Sequence, residues 1–321
     1  MALFGMALLG GCGSGNTAAA PAVEPPASPV VTEPPAAPAP EATPADPTPA
    51  ATPTADPTPA STPATTVRSV THTGPASAGM VEPTDATLAT LPQPDLEKLL
   101  PPGIPQVSPS AATGQVATPK ATLTAAYSNI GDATPVLALN SDTDNLLNMP
   151  AHWLVVGTQG DWIRVLTPVG RGALPSDDPS QVNHHAVWVA ADDVTLTEAT
   201  YRINVSVANR ELTLTGPDGT HSFHVGVGVE GVTDSPTGLC AIVGPVTIQT
   251  GEPGLLTNCQ SERLDAFEGA TDAAFALHVY GDGGFDAATG GDVSNGCIRV
   301  KADDFATYLQ DVPAGTPVVV E

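Results

Sequence analysis

One histidine and one cysteine near the C-terminal end have the residue types and the spacing that covalent catalysis needs. Cys297 follows His278 by 19 residues and lies in the string Ser294-Asn295-Gly296-Cys297-Ile298-Arg299. Gly296 permits a tight turn that leaves the sulfur accessible, and the cationic Arg299 favours the thiolate. A histidine beside the thiol would take its proton and serve as general acid or base. The N–H groups of Gly296 and Cys297 would then form an oxyanion hole.

The same two residues also have a purely structural interpretation. A lone cysteine is often a small buried hydrophobe, and a histidine near a strand is often only a hydrogen-bonded polar residue. The stretch between them favours catalysis, since residues 281–292 contain five glycines in twelve positions. That composition predicts a mobile loop over a cleft rather than part of a core.

The string from Ser294 to Arg299, with His278 upstream, resembles the signature of the L,D-transpeptidase family, also called the YkuD-type catalytic domain. Residues 234–238 resemble the family's Thr-Pro-Xaa-Gly segment, and residues 314–320 resemble its closing Gly-Thr-Xaa-Val strand. The resemblance covers about residues 201–321 and implies a mostly β sandwich. It implies that Cys297 attacks the carbonyl on the L-centre side of a peptidoglycan stem peptide and expels the terminal D-alanine. His278 is then the proton donor and acceptor, and an amine of a neighbouring stem resolves the thioester.

The resemblance also implies supporting roles and leaves the acyl acceptor open. Ser294 and Gly296 shape the turn, and Arg299 supports the catalytic loop or binds the substrate carboxylate. Asn295 stands where many members have His, and Val279 stands where many have Gly. Because Asn295 replaces the second histidine of those members, any role of that histidine is in doubt in this chain. A catalytically inactive wall-binding protein therefore stays an alternative. A stem amine as acceptor makes crosslinks, water makes an L,D-carboxypeptidase, and a protein amine attaches proteins to the wall.

The four cysteines divide by position. With Cys297 given to catalysis and Cys12 to the N-terminal segment, Cys240 and Cys259 are the remaining pair. Outside the cytoplasm they would form a disulfide; the alternative is two free buried thiols.

The N-terminal end has the features of an export signal. Residues 2–9 are an apolar run too short to span a bilayer, and Leu9-Gly10-Gly11-Cys12 resembles the bacterial lipobox, which implies a lipid anchor in the membrane on Cys12. The first Lys or Arg is Arg68, so a basic segment upstream of Met1 is expected; an ordinary secretory peptide is the alternative. Residues 1–12 are therefore interpreted as a signal peptide with lipobox, and the protein as extracytoplasmic and facing the cell wall.

Composition and charge limit the remaining possibilities for order, cofactors and partners. Of 35 prolines, 24 fall in residues 1–120, so residues 13–120 are predicted to be a disordered Pro/Ala/Thr-rich linker. The net charge of −24 repels phosphate backbones and argues against nucleic-acid binding. No phosphate-binding loop or ligand-spaced Cys and His cluster is present, so the sequence predicts no cofactor and no metal. We expect a monomer whose partners are peptidoglycan stem peptides.

Two β-rich regions follow the linker. Residues 121–200 contain all three tryptophans and resemble a bacterial SH3-like β module, in which tryptophans are core residues or bind a ligand. Residues 201–321 are the catalytic domain, which opens with a β meander. The predicted strands are 135–139, 153–157, 162–166, 186–189, 194–197, 201–207, 211–215 and 221–229.

Overall fold

The computed structural model describes residues 83–108, 110–142, 147 and 149–321. Cys12, the predicted signal peptide and the linker as far as residue 82 lie outside the described residues. The described chain is mostly β, as predicted. Its helices are the short α1 (Asp85–Leu88) and α2 (Ala302–Asp304), which continues as a π-helical turn over Phe305–Leu309, and two 3₁₀ turns, Pro179–Gln181 and Ala191–Asp193. Within the described part, no helix is long and apolar enough to cross a membrane.

A five-stranded antiparallel sheet organises the region before residue 200. The strand order is β6-β5-β4-β1-β7, and β2 and β3 form a separate pair. The predicted strands here match closely, and residues 162–166 match in full. The bounds are β1 Gln115–Pro119, β2 Leu123–Ala126, β3 Leu137–Asn140, β4 Trp153–Gln159, β5 Trp162–Leu166, β6 Ala186–Ala190 and β7 Val194–Glu198. The SH3-like resemblance of this module stays a prediction.

A ten-stranded sheet organises the remainder, in the order β10-β9-β8-β17-β12-β13-β14-β16-β11-β15. The strand predicted over residues 221–229 is divided, because β10 pairs with β9 whereas β11 pairs with β15 and β16. The bounds are β8 Arg202–Ser206, β9 Glu211–Gly216, β10 Gly219–His224, β11 Gly226–Gly228, β12 Gly238–Thr247, β13 Pro253–Gln260, β14 Ala274–Val279, β15 Gly291–Ser294, β16 Ile298–Val300 and β17 Pro317–Val320.

The prediction of a disordered linker up to Lys120 is wrong for residues 83–120. Leu96 and Leu100 are buried although prolines flank them, and β1 is an inner strand that pairs with both β4 and β7. Leu96 packs against Val243 and Leu256 of the ten-stranded sheet. The proline count misled because prolines stop helices without preventing the leucines between them from burying apolar surface.

Candidate active site

Two parallel neighbouring strands bring His278 and Cys297 to one cavity. β14 carries His278, and β16 begins immediately after Cys297. The register pairs His278 with Arg299, and Cys297 lies two residues before Arg299, so the three side chains share one face of the sheet. All three line a cavity of about 340 Å³. The cavity is also lined by Val246, Thr247, Ile248, Gln249, Thr250, Leu256, Leu264, Phe267, Glu268, Ala273, Ala274, Ala276, Tyr280, Ser294 and Asn295.

His278 is buried and held in one tautomer. Its Nδ1 lies 2.8 Å from the Val279 carbonyl oxygen, which only accepts, so Nδ1 carries the proton and Nε2 keeps its lone pair. Burial lowers the pKa of His278 below its ordinary value of 6.5; Arg299 also lowers it, while the Val279 carbonyl and Glu252 oppose the shift. The imidazole is therefore neutral at neutral pH, as a general base must be.

Cys297 differs from the sequence prediction in its protonation. The half-buried thiol has its pKa raised above the ordinary 9.0 by desolvation, which outweighs the opposing effect of Arg299. Arg299 favours the thiolate, as expected, and so does the Ala276 backbone, but desolvation of the thiol disfavours the charged form more. The resting nucleophile is a thiol, and it needs a base at the moment of attack.

Hydroxyl groups hold the turn that presents Cys297. Gly296 adopts φ 117°, which favours glycine. The buried Ser294 donates its hydroxyl to the Cys297 carbonyl at 2.6 Å and accepts from the Gly296 N–H at 3.1 Å. Ser235 donates to the Gly296 carbonyl at 2.7 Å, and Thr233 donates to the Ser294 carbonyl at 2.8 Å. The turn is thus fixed from a second loop.

Thr233 and Ser235 are functional residues that the sequence reasoning missed. Ser235 lies in the segment 234–238, which stood out only for its resemblance to the family's Thr-Pro-Xaa-Gly segment, and Thr233 lies one residue before it. Ser235 is 2% exposed, and its oxygen also accepts from the Gly228 N–H at 3.0 Å. A buried hydroxyl with two backbone partners has a positional role that a pattern of residue types does not reveal.

Asn295, Gly296 and Arg299 are the remaining predicted site residues, and each has different surroundings. Asn295 is exposed on the rim of the cavity. The Gly296 N–H is engaged by Ser294, so of the predicted oxyanion pair only the Cys297 N–H remains as a candidate. Arg299 lies with its guanidinium carbon 4.0 Å from the Tyr280 ring centroid, and among the described residues it donates no hydrogen bond to the turn.

Cys240 and Cys259 are joined by a disulfide between β12 and β13. No group of three or more His, Cys, Asp or Glu residues in the described part of the chain is arranged to hold a metal ion.

Comparison with known proteins agrees with this geometry. Residues 200–320 match the family profile described as the YkuD L,D-transpeptidase catalytic domain. No curated protein sequence matches the chain.

Several solved structures are also similar. They include the L,D-transpeptidase (Yku) from Stackebrandtia nassauensis, at 15% identity over 38% of this chain and 55% of that one, with a TM-score of 0.27. The L,D-transpeptidase from Mycobacterium smegmatis is 14% identical over 50% of this chain and 90% of that one, with a TM-score of 0.29. A fused Zn-dependent amidase/peptidase/peptidoglycan-binding domain-containing protein from Clostridium acetobutylicum is 20% identical over 38% and 52%, with a TM-score of 0.26. The matched region spans about half the length of the first and third of these proteins.

Proposed function

We propose that this protein is an L,D-transpeptidase that acts on peptidoglycan stem peptides through a Cys297 acyl-enzyme. The observation that carries the proposal is the tautomer of His278: Nδ1 donates to Val279, which leaves Nε2 free to accept in the cavity that Cys297 also lines. The family match of residues 200–320 supports the same reaction class.

The acylation half-reaction starts from a neutral Cys297 thiol and a neutral His278 imidazole. The Cys297 thiol transfers its proton to His278 Nε2 as Sγ attacks the carbonyl on the L-centre side of the donor stem. The Cys297 N–H stabilises the oxyanion that forms. The peptide C–N bond then breaks, His278 gives its proton to the departing amine of D-alanine, and a thioester on Sγ remains.

Deacylation reverses the proton path. An amine of a second stem attacks the thioester carbonyl, and His278 accepts the proton that the amine loses. The C–S bond breaks, and the proton returns to Sγ. The products are an amide crosslink and the resting thiol, so no proton or electron is left over.

Among the described residues that line the same cavity, Arg299 is the only lysine or arginine. We infer that it attracts a substrate carboxylate, because it donates no hydrogen bond to the turn and its Nε has no partner among the described residues. This favours the second of the two roles implied for Arg299.

The acceptor is decided by a product assay on residues 83–321, since a fragment that begins at Ala121 lacks β1. Incubation with disaccharide tetrapeptide and mass spectrometry of the products separates the possibilities. Crosslinked dimers support transpeptidation, and tripeptide alone supports an L,D-carboxypeptidase. With the tetrapeptide replaced by a mixture of tetrapeptide and a lysine-rich protein, a stem–protein adduct supports wall attachment.

An inactive wall-binding protein is the second candidate, and Asn295 is its only support. Asn295 is exposed and takes no part in the His278 tautomer or the Ser294 hydrogen bonds. A carbapenem adduct on Cys297, detected by intact mass and absent in Cys297→Ala, would eliminate this candidate. A thiol that iodoacetamide alkylates but that no acyl donor acylates would support it.

We also propose that Cys12 is lipidated and tethers the enzyme outside the cytoplasm, facing the wall. The string Leu9-Gly10-Gly11-Cys12 and the proline-rich residues that follow it support this placement. Detergent-phase partitioning of the full chain tests it. Wild type is expected in the detergent phase and Cys12→Ala in the aqueous phase; equal partitioning of both would refute lipidation at Cys12.

A further inference from the structure

One wall of the Cys297 cavity is a loop without regular strands. It connects β13 to β14, and four of its residues, Leu264, Phe267, Glu268 and Ala273, line the cavity. The loop closes on itself through the Phe267 N–H, which donates to the Asp272 carbonyl at 2.9 Å. Such a loop needs contacts at its base to keep one shape.

Those contacts come from the region before residue 200. Arg171 is only 1% exposed, and its Nη2 donates to the Asp265 carbonyl at 2.7 Å and to the Thr271 carbonyl at 2.9 Å. The two carbonyls lie on opposite stems of the loop, on either side of Phe267. One guanidinium nitrogen therefore joins the two stems at their base.

A second contact reinforces the first. The Ser176 N–H donates to the Asp265 carboxylate at 2.9 Å. Arg171 is itself fixed, because its carbonyl accepts from the Leu100 N–H at 2.8 Å within the segment predicted to be linker. The cavity wall is therefore connected through Arg171 to the N-terminal part of the described chain.

We propose that Arg171 is a positioning residue that sets the shape of the substrate cavity from outside the catalytic domain, and so controls substrate binding. The substrate part of this inference rests on the proposed function; the effect on the loop does not. Charge-assisted hydrogen bonds from a buried guanidinium are stronger than neutral ones, and without Arg171 two carbonyls at the base of the loop lose their donor. Phe267 and Glu268 at the tip are then free to move relative to Cys297.

The test uses residues 83–321 with three variants. Arg171→Met keeps an unbranched apolar side chain and removes the donors, and Arg171→Lys keeps the charge with a reach between those of methionine and arginine. Arg164→Met is the control, because Arg164 is a half-buried arginine of the preceding strand β5 that stacks over Trp188 and does not line the cavity. Asp265→Ala removes the Ser176 contact and the electrostatic attraction to Arg171 but keeps the Asp265 carbonyl, and it guards against a misfolded Arg171 variant.

Three readouts separate positioning from general damage. Hydrogen exchange is followed in residues 264–273 and in β14, alkylation of Cys297 by iodoacetamide is timed, and KM and kcat for disaccharide tetrapeptide are measured. For Arg171→Met we expect exchange of residues 264–273 at least about tenfold faster, β14 unchanged and alkylation within about twofold of wild type. We expect KM to rise about tenfold or more with a smaller change in kcat, since a loosened cavity wall weakens substrate binding while Cys297 and His278 keep their positions.

Arg171→Lys should lie between wild type and Arg171→Met, and Asp265→Ala should show a smaller change in the same direction. Unchanged exchange in residues 264–273 and an unchanged KM in Arg171→Met, relative to Arg164→Met, would overturn the inference. If wild type itself turns over no tetrapeptide, the proposed function fails, while the exchange result still decides whether Arg171 positions the loop.

Discussion

The two sides of the Cys297 cavity are held in place by different parts of the chain. On the nucleophile side, the turn that carries Cys297 is fixed by Thr233 and Ser235, which lie in the same catalytic domain. On the facing side, the wall formed by residues 264–273 is fixed by Arg171, which lies outside that domain. The nucleophile side is therefore complete within residues 200–320, whereas the shape of the substrate cavity also depends on the region that precedes them.

Removing the N-terminal part of the described chain should have the largest effect. Residues 83–321 keep β1 and the buried Leu96 and Leu100, whereas residues 121–321 lose them and leave β4 and β7 without their shared partner. We expect the longer fragment to unfold in one cooperative thermal transition and the shorter one to show none. Equal melting temperatures by circular dichroism would contradict the assignment of residues 83–120 to the fold.

Reduction of the Cys240–Cys259 disulfide should destabilise the fold at strands β12 and β13, which also line the cavity. The bridge joins residues 19 apart in β12 and β13, two strands that contribute residues to the cavity. We expect the free energy of unfolding in urea to fall by about 3 kcal/mol, because the unfolded chain loses a closed loop of this size. Unfolding curves with and without reductant measure it, and coincident midpoints would show that the bridge contributes nothing.

Replacing Ser235 with Ala should disturb the nucleophile side alone. The change leaves the Gly228 N–H and the Gly296 carbonyl without a buried partner, at a cost of about 1–3 kcal/mol. Urea unfolding measures this cost, and iodoacetamide alkylation of Cys297 reports the loosened turn. Ser222→Ala, which removes an exposed hydroxyl bonded to Thr213, is the control and should cost less than about 0.5 kcal/mol. Equal stability of the two variants would remove Ser235 from the account.

The pH dependence of acylation should show the smallest effect. The rate should rise with pH as His278 loses its proton, with the midpoint of the rise below the ordinary pKa of 6.5, because burial lowers the pKa of this residue. Glu252 raises the pKa of His278, so Glu252→Gln should move the rising limb to lower pH; the effect is small because solvent screens this partly exposed carboxylate. Stopped-flow acylation by a carbapenem measures the rising limb in wild type and in Glu252→Gln. A shift of the rising limb to higher pH in Glu252→Gln would reverse the sign that we assign to Glu252.

The two residues proposed to carry the chemistry were easier to predict from the sequence than the residues that hold the cavity in shape. His278 and Cys297 stood out because the string from Ser294 to Arg299, with the upstream histidine, resembles a family signature, whereas their residue types alone also allowed a structural interpretation. Arg171 gave no such signal, because its partners are carbonyl oxygens about a hundred residues away in the chain. The direction of the Cys297 pKa shift was also missed, since desolvation depends on packing that spacing along the chain does not specify.

The central claim is that Cys297 forms an acyl-enzyme with His278 as its base, and intact-mass spectrometry tests it most directly. Residues 83–321 are incubated with disaccharide tetrapeptide and quenched in acid. We predict a mass increase equal to the donor minus D-alanine, located on Cys297, absent in Cys297→Ala and formed on the order of 100-fold or more slowly in His278→Gln. Absence of this adduct from wild type whose Cys297 is still alkylated by iodoacetamide, or its persistence in Cys297→Ala, would contradict the account.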